Sequence, residues 1–191
     1  MGHENQTGSM GARARRLLGA AVFLAAATCS AMAAPKAAGP VVASQQVGTS
    51  TGLPLPRYVS LKADRVNLRE GPSKDHPTSW VFERAGLPVE VTEEFDTWRK
   101  IRDSQGTVGW VLESLLSGRR TALVKPWAKG AILPIFDKPR AGSRIVANLQ
   151  SGVIGNVRQC SGSWCQIFGS GFSGWIQQTN LWGVYPNEKI N

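Results

Sequence analysis

Histidine is nearly absent from this chain, with 2 copies in 191 residues, and cysteine is scarce, with 3. His3 belongs to an N-terminal segment treated separately below, so the body of the chain keeps a single imidazole, His76. One histidine argues against a zinc site, and a Cys-His pair would need His76 with Cys160 or Cys165, which are better explained as paired to each other. There is no H-E-x-x-H, no G-x-S-x-G and no phosphate loop. Clustered carboxylates occur as Glu93-Glu94 with Asp96, at the end of what reads as a hairpin. Long apolar runs are missing too. Leu17 to Ala27 spans 11 residues, short of the roughly 20 a membrane-crossing helix needs. These shortages point away from an enzyme, a cofactor and a membrane span, and towards a binding protein.

What is present first is an address. Arg13, Arg15 and Arg16 form a positive start, Leu17 to Ala27 an apolar centre, and Ala31-Met32-Ala33 a small-residue cleavage site. This order reads as a secretory signal peptide over residues 1–33 and predicts an exported protein, periplasmic or secreted. Cys29 invites a lipidation reading, but Thr28 before it is a poor fit to such a site. Residues 34–56 are rich in Ala, Pro, Gly, Ser, Thr and Gln without apolar periodicity, and read as a disordered leader. A segment that orders on a partner is the alternative.

Cys160 and Cys165 remain after signal removal. An even pair in an exported chain reads as a disulfide. A redox pair would use Cys-x-x-Cys, and here four residues intervene.

The strongest feature is a duplication. Gly86 pairs with Gly152, Val91 with Val157, Trp98 with Trp164 and Ile101 with Ile167, each at an offset of 66 residues. The Gly109-Trp110 and Gly174-Trp175 pairs stand 65 apart. Two copies of one small module follow from this. Within each copy the signals are of strands. Val89-Glu90-Val91 and Trp98-Arg99-Lys100-Ile101-Arg102 alternate with a period of two, which sends Val89, Val91 and Ile101 to a buried face. Asp103-Ser104-Gln105-Gly106 is a turn, Val108 to Val111 a return strand, and Leu112 to Ser117 contains a single helical turn. Arg119 to Val124 is a further strand or a connector. Ala131 to Phe136 reads as the first strand region of the second copy, with Asp137 to Ser143 answering the loop Glu70 to Asp75. The body is predicted to be all-β.

The first copy reads Val66-Asn67-Leu68-Arg69-Glu70-Gly71-Pro72-Ser73, then Trp98-Arg99-Lys100-Ile101, then Gly109-Trp110-Val111. This pattern resembles the bacterial SH3-like (SH3b) domain. The second copy keeps the later half, but has Ile135-Phe136-Asp137-Lys138-Pro139 where the first has Leu68-Arg69-Glu70-Gly71-Pro72. The resemblance implies two tandem, small, partly open SH3-like β-barrels. The expected boundaries are 57–118 for the first domain, 119–185 for the second and 186–191 for a C-terminal tail. It also implies a peptide groove between the long first loop and the loop before the central tryptophan. That makes Trp98, Trp164 and Arg69 candidate ligand contacts, with packing an equal alternative for the two tryptophans. Trp110 and Trp175 are expected at the core or its edge.

Charge is uneven. Residues 57–118 are close to neutral, whereas 119–185 carry eight Lys or Arg against one acid, Asp137. A solvated basic face is one reading. The other is a site for an anionic envelope polymer at Arg140, Arg144 and Arg158, with Lys138. An exported protein seldom meets nucleic acid. The expected function is binding of peptidoglycan stem peptides or an extended peptide segment of an envelope protein, with a scaffold or adaptor role as the alternative.

Overall fold

The computed structural model describes residues 46–191. The expected signal peptide and the leader up to residue 45 lie outside the described residues. No helix among the described residues is long and apolar enough to cross a membrane.

Two short strands come first, β1 (Gln46–Val47) and β2 (Pro54–Leu55), paired antiparallel. The first module then runs β3 (Arg57–Leu61), β4 (Val66–Arg69), β5 (Thr78–Phe82), β6 (Pro88–Phe95), β7 (Trp98–Arg102), β8 (Val108–Leu112) and β9 (Leu116–Ser117). The second runs β10 (Thr121–Val124), β11 (Ile132–Phe136), β12 (Ile145–Gln150), β13 (Ile154–Ser161), β14 (Trp164–Gly169), β15 (Phe172–Gln177) and β16 (Leu181–Trp182). Each module is one seven-stranded antiparallel sheet. The spatial order is β5-β4-β8-β7-β6-β3-β9 in the first and β12-β11-β15-β14-β13-β10-β16 in the second. The two orders match strand for strand, so the duplication read from spacing is a duplication of fold. A 3-10 turn precedes the last strand in both, Glu113–Leu115 and Gln178–Asn180.

Two expectations need correction. Residues 46–56 are not a disordered leader. They form the β1–β2 hairpin, which docks on the first module through Glu94. The first strand of the second copy is β10, not Ala131 to Phe136, which is the module's second strand. Val124 on β10 is fully buried, so the segment left open as strand or connector is a core strand.

The period of two places the core as expected. Val89, Val91, Ile101 and Val111 close one cluster with Leu61, Val66 and Leu68. Ile135, Ile167 and Ile176 close the other with Val124 and Cys165. Trp110 and Trp175 are half-buried, because the same alternation puts Gly109, Val111, Gly174 and Ile176 inward and the indoles on the other face. The glycine is the residue the core demands. A Cβ at Gly109 would meet Leu68 Cγ at 2.6 Å and the Arg69 carbonyl at 2.8 Å, and one at Gly174 would meet the Phe136 carbonyl at 3.0 Å. Gly109→Ala is therefore expected to lower unfolding free energy by about 2 kcal/mol through overpacking, measured by urea titration. A neutral result would mean that β4 and β8 are not in close approach.

The modules are joined by a cluster that neither copy of the repeat contains alone. Tyr58 packs edge-on to Trp182, with ring centroids 5.3 Å apart, and against Tyr185 at 4.6 Å. Trp182 Nε1–H donates to the Pro88 carbonyl at 3.2 Å, and the Tyr185 hydroxyl donates to Glu90 at 3.0 Å. Arg102 donates to the same Glu90 carboxylate and lies over Trp182. Burial, followed by the negative charge of Glu90, pushes the Tyr58 hydroxyl up to about 12 and Tyr185 in the same direction. Both rings stay neutral, as an aromatic packed beside a carboxylate requires. Buried Thr121 donates to the Gly86 carbonyl at 2.8 Å, which ties the start of the second sheet to the first.

Candidate functional site

In the first module, the loop between β4 and β5 folds back on itself. Arg69 Nη1–H donates to the His76 carbonyl at 2.6 Å, and Ser73 Oγ accepts from the Asp75 amide at 2.9 Å. These bonds hold Pro72 to Asp75 upright beside the Thr97–Trp98 turn and the 3-10 turn. The space between is a cleft of about 820 Å³ lined by Lys62, Pro72, Lys74, Trp98, Glu113 and Leu116, among others. A smaller cleft of about 220 Å³ shares Lys74, Trp98 and Leu112 with it and adds Arg65, Asn67 and Arg69. Pro72, Trp98, Leu112 and Leu116 give this concave site an apolar part among polar groups, a combination that ligand sites use. Four cations, Lys62, Arg65, Arg69 and Lys74, border it, against Asp75 and Glu113. The two acids are engaged, Asp75 with Ser73 and Glu113 with Arg99.

The structure thus brings together two of the residues singled out from sequence, Trp98 and Arg69. Trp98 is 7% exposed. It is mainly packed, and only an edge of it reaches the cleft. Arg69 acts first as a staple of the loop.

The other candidates do not join them. Trp164 is half-buried and packs edge-on against Phe136, ring centroids 5.7 Å apart. Phe136 pairs with Trp175 as Arg69 pairs with Trp110, so Phe136 stands where the first module has Arg69. An aromatic ring there packs on the central tryptophan from the place that carries a loop-stapling cation in the first copy. Arg140 is exposed on the β11–β12 loop, and Arg144 lies 3.5 Å from Asp137 in the same loop. Arg158 stacks over Phe168, 5.1 Å from the ring centre. Phe168 is four residues along β14 from Trp164, about 13 Å at the usual strand rise.

Sequence reasoning missed the support under the cleft. Glu94 and Arg99 face each other across the β6–β7 hairpin. The Glu94 side chain is 0% exposed. It accepts from Thr51 N–H at 2.9 Å, Thr51 Oγ1–H at 2.7 Å, Ser50 N–H at 3.0 Å and Arg57 at 2.6 Å. Arg99 Nε is 3.6 Å away. Burial pushes this carboxyl up, but hydrogen bonds from Thr51, Arg57 and Ser50 outweigh it and hold it at about 2. Cys160 and Cys165 face each other at the same rung of the second module, and are joined as a disulfide. At an offset of 66, Glu94 answers Cys160 and Arg99 answers Cys165. One hairpin rung, just before the central tryptophan, is closed by an ion pair in one copy and a covalent bond in the other. Each rung also receives a flanking segment. The β1–β2 hairpin docks on Glu94, and Ile190 exchanges backbone hydrogen bonds with Cys160 at 2.8 and 3.1 Å. The tail from residue 186 is thus part of the fold, with Glu188 bridged to Arg120.

The family described as bacterial SH3 domain matches residues 62–118 and 129–183, one match per module. Two solved structures show a weak likeness. NlpC2 from Trichomonas vaginalis is 12% identical, with 66% of this chain and 47% of that chain covered and a TM-score of 0.31. NlpC1 from Trichomonas vaginalis is 12% identical, with 71% and 48% covered and a TM-score of 0.31. The chain spans about half the length of those two chains. No curated protein matches it.

Proposed function

The chain belongs to the bacterial SH3 domain family, and from that membership we propose that it is an exported, non-enzymatic cell-envelope protein whose first module binds an extended peptide. Peptidoglycan stem peptides are the favoured ligand, and an extended segment of another envelope protein is the alternative. The observation that carries this is the cleft at Trp98. Its lining combines Trp98, Leu112 and Leu116 with polar groups, and together with the adjoining smaller cleft it is bordered by four cations against two acids. A stem peptide offers free carboxylates to such a rim, and charge-assisted hydrogen bonds are the stronger kind. The cysteines of the second module are joined to each other, which leaves no free thiol for nucleophilic work there.

Retention on isolated sacculi tests this. Wild-type protein is expected in the pellet. Replacing both Lys62 and Lys74 with Ala, two rim residues outside the core, is expected to lower retention roughly tenfold or more, since each charged contact contributes about 1 kcal/mol or more. Equal recovery of the variant and wild type would remove the cleft from the proposal.

The scaffold reading has an observation of its own, the Tyr58–Trp182–Tyr185 cluster that locks two modules into one unit. Cross-linking in cells that captures one envelope protein, with no retention on sacculi, would favour it.

A further inference from the structure

A second cleft, of about 520 Å³, lies between the modules, away from the Trp98 site. Its walls are β5 and the β7–β8 turn on one side, and the segment after β10 with the β12–β13 turn on the other. We propose that this cleft binds an uncharged oligosaccharide stacked on Trp80.

Trp80 is 56% exposed and lines the cleft from an edge strand. The fold does not need an indole at this position. Trp80 pairs with Leu68 on β4, and the corresponding pair in the second module is Ala147 with Ile135. Where one copy is satisfied with a methyl group, the other shows water a large ring. A big exposed aromatic within a concave site is a contact surface awaiting a flat apolar face. The axial C–H face of a pyranose is such a surface, and its hydroxyls require hydrogen-bonding groups around the ring.

The rest of the lining supplies them and favours no ion. Glu83 and Asp103 equal Arg84 and Lys129 in number, so the lining carries no net formal charge to select a charged ligand. This sets it apart from the cation-bordered Trp98 cleft. Gln105, exposed at the tip of the β7–β8 turn, offers a planar amide with both donor and acceptor. The turn beneath it is fixed, because Asp103 Oδ1 accepts from the Gln105 and Thr107 amides at 2.9 and 2.8 Å.

The cleft is also pre-formed. Arg84 Nη1–H crosses from the first module to the Gly152 carbonyl of the second at 2.8 Å, beside the lining residues. With Thr121 on Gly86 and Trp182 on Pro88, three inter-module hydrogen bonds set the spacing of the walls. Walls held apart before the ligand arrives reduce the ordering cost of binding. The proposal does not rest on the peptide reading of the Trp98 cleft, and either can fail alone.

The test is titration of the purified protein with neutral tetrasaccharides of N-acetylglucosamine, β-linked glucose and α-linked glucose. It is followed by calorimetry and by the indole N–H resonance of Trp80, assigned from the Trp80→Ala spectrum. At least one sugar is expected to bind with a Kd of about 1 mM or tighter and to shift the Trp80 resonance. Trp80→Ala is expected to weaken that binding tenfold or more. Trp127→Ala, which removes an equally exposed indole outside the lining, is expected to leave it unchanged. Exposure of Trp80 means its variant should keep the wild-type melting temperature, which separates loss of contact from loss of fold. If no sugar in the panel moves Trp80, if Trp80→Ala binds as well as wild type, or if only a peptide shifts Trp80, the inference is overturned. Lys62→Ala with Lys74→Ala is expected to leave sugar binding intact, so failure of the peptide cleft would be seen separately.

Discussion

Glu94→Gln is expected to lower unfolding free energy by about 3 kcal/mol, because it leaves buried cations without their anion. The native carboxylate accepts from two backbone amides, one hydroxyl and Arg57, with Arg99 beside it. An amide of the same shape keeps one acceptor. Its NH2 group must then face a donor, either Arg57 with Thr51 Oγ1 or the amides of Ser50 and Thr51. Arg99, 2% exposed, keeps Glu113 but loses the charge of its buried neighbour Glu94, 3.6 Å away. The effect should reach the β1–β2 hairpin, since Gly48 to Thr51 touch the module through this carboxylate. Urea titration gives the free energy, and limited proteolysis reports release of residues 46–55. A loss under about 1 kcal/mol, with the hairpin still protected, would show that Glu94 is not what holds it.

The same group predicts a pH dependence with a definite sign. Glu94 is held at about 2 in the folded chain against an ordinary value of 4.5. A lowered folded value means that its stabilisation is complete above about pH 4.5, declines as pH falls towards 2, and is gone below. The shift corresponds to about 3 kcal/mol at most. Glu188 acts in the same direction. Burial raises it, but hydrogen bonds from Arg120 and the Tyr185 amide bring it below the usual carboxylate range. Wild type should therefore lose stability steeply between pH 5 and pH 2, and Glu94→Gln should show a flatter curve. Parallel curves would mean that Glu94 does not titrate differently in the folded chain.

The rung that Glu94 occupies shows what sequence could and could not reveal. Spacing alone disclosed two copies, since Trp98 with Trp164 and Gly109 with Gly174 repeat the same residue types. Glu94 and Arg99 sit at that same offset from Cys160 and Cys165, yet share no chemistry with them, so likeness could not pair them. Only the register across β6–β7 and β13–β14 does. The facing of β8 was left open for a related reason, with Trp110 expected at the core or its edge and found half-buried. A large indole beside a glycine suggests a core residue, but the close crossing of β4 requires the residue without a side chain to face inward. Packing between the modules left a trace that went unused. Trp182 and Tyr185 close the second copy where the equivalent positions of the first carry Ser117 and Arg120, and residues that break a repeat are candidates for contacts the repeat unit lacks. Residues 46–56 misled because they lack apolar periodicity, whereas their order comes from Leu55 in the core and from polar groups satisfied by one buried carboxylate.

The two central tryptophans are expected to part company on mutation, although the repeat makes them equivalent. Trp98→Ala should cost about 3–5 kcal/mol, the usual loss for a large aromatic removed from an enclosed site. Trp98 is 7% exposed and abuts the rung closed by Glu94 and Arg99, whose Nη1–H groups donate to the Asp96 and Trp98 carbonyls at 2.7 and 2.9 Å. Trp164→Ala should cost about 1–2 kcal/mol, because its indole is half-buried and its identified aromatic partner is Phe136. The neighbouring disulfide holds the turn whether or not the indole is present. Chemical denaturation of both variants decides it, and equal losses would refute the asymmetry. The difference bears on function. In the second module an aromatic ring packs on the tryptophan from the position that Arg69 occupies in the first. The copy with the open cleft is then also the copy whose tryptophan the fold can least spare. Loss of binding in Trp98→Ala would mix unfolding with lost contact, and the ligand is better interrogated from the rim, at Lys62 and Lys74.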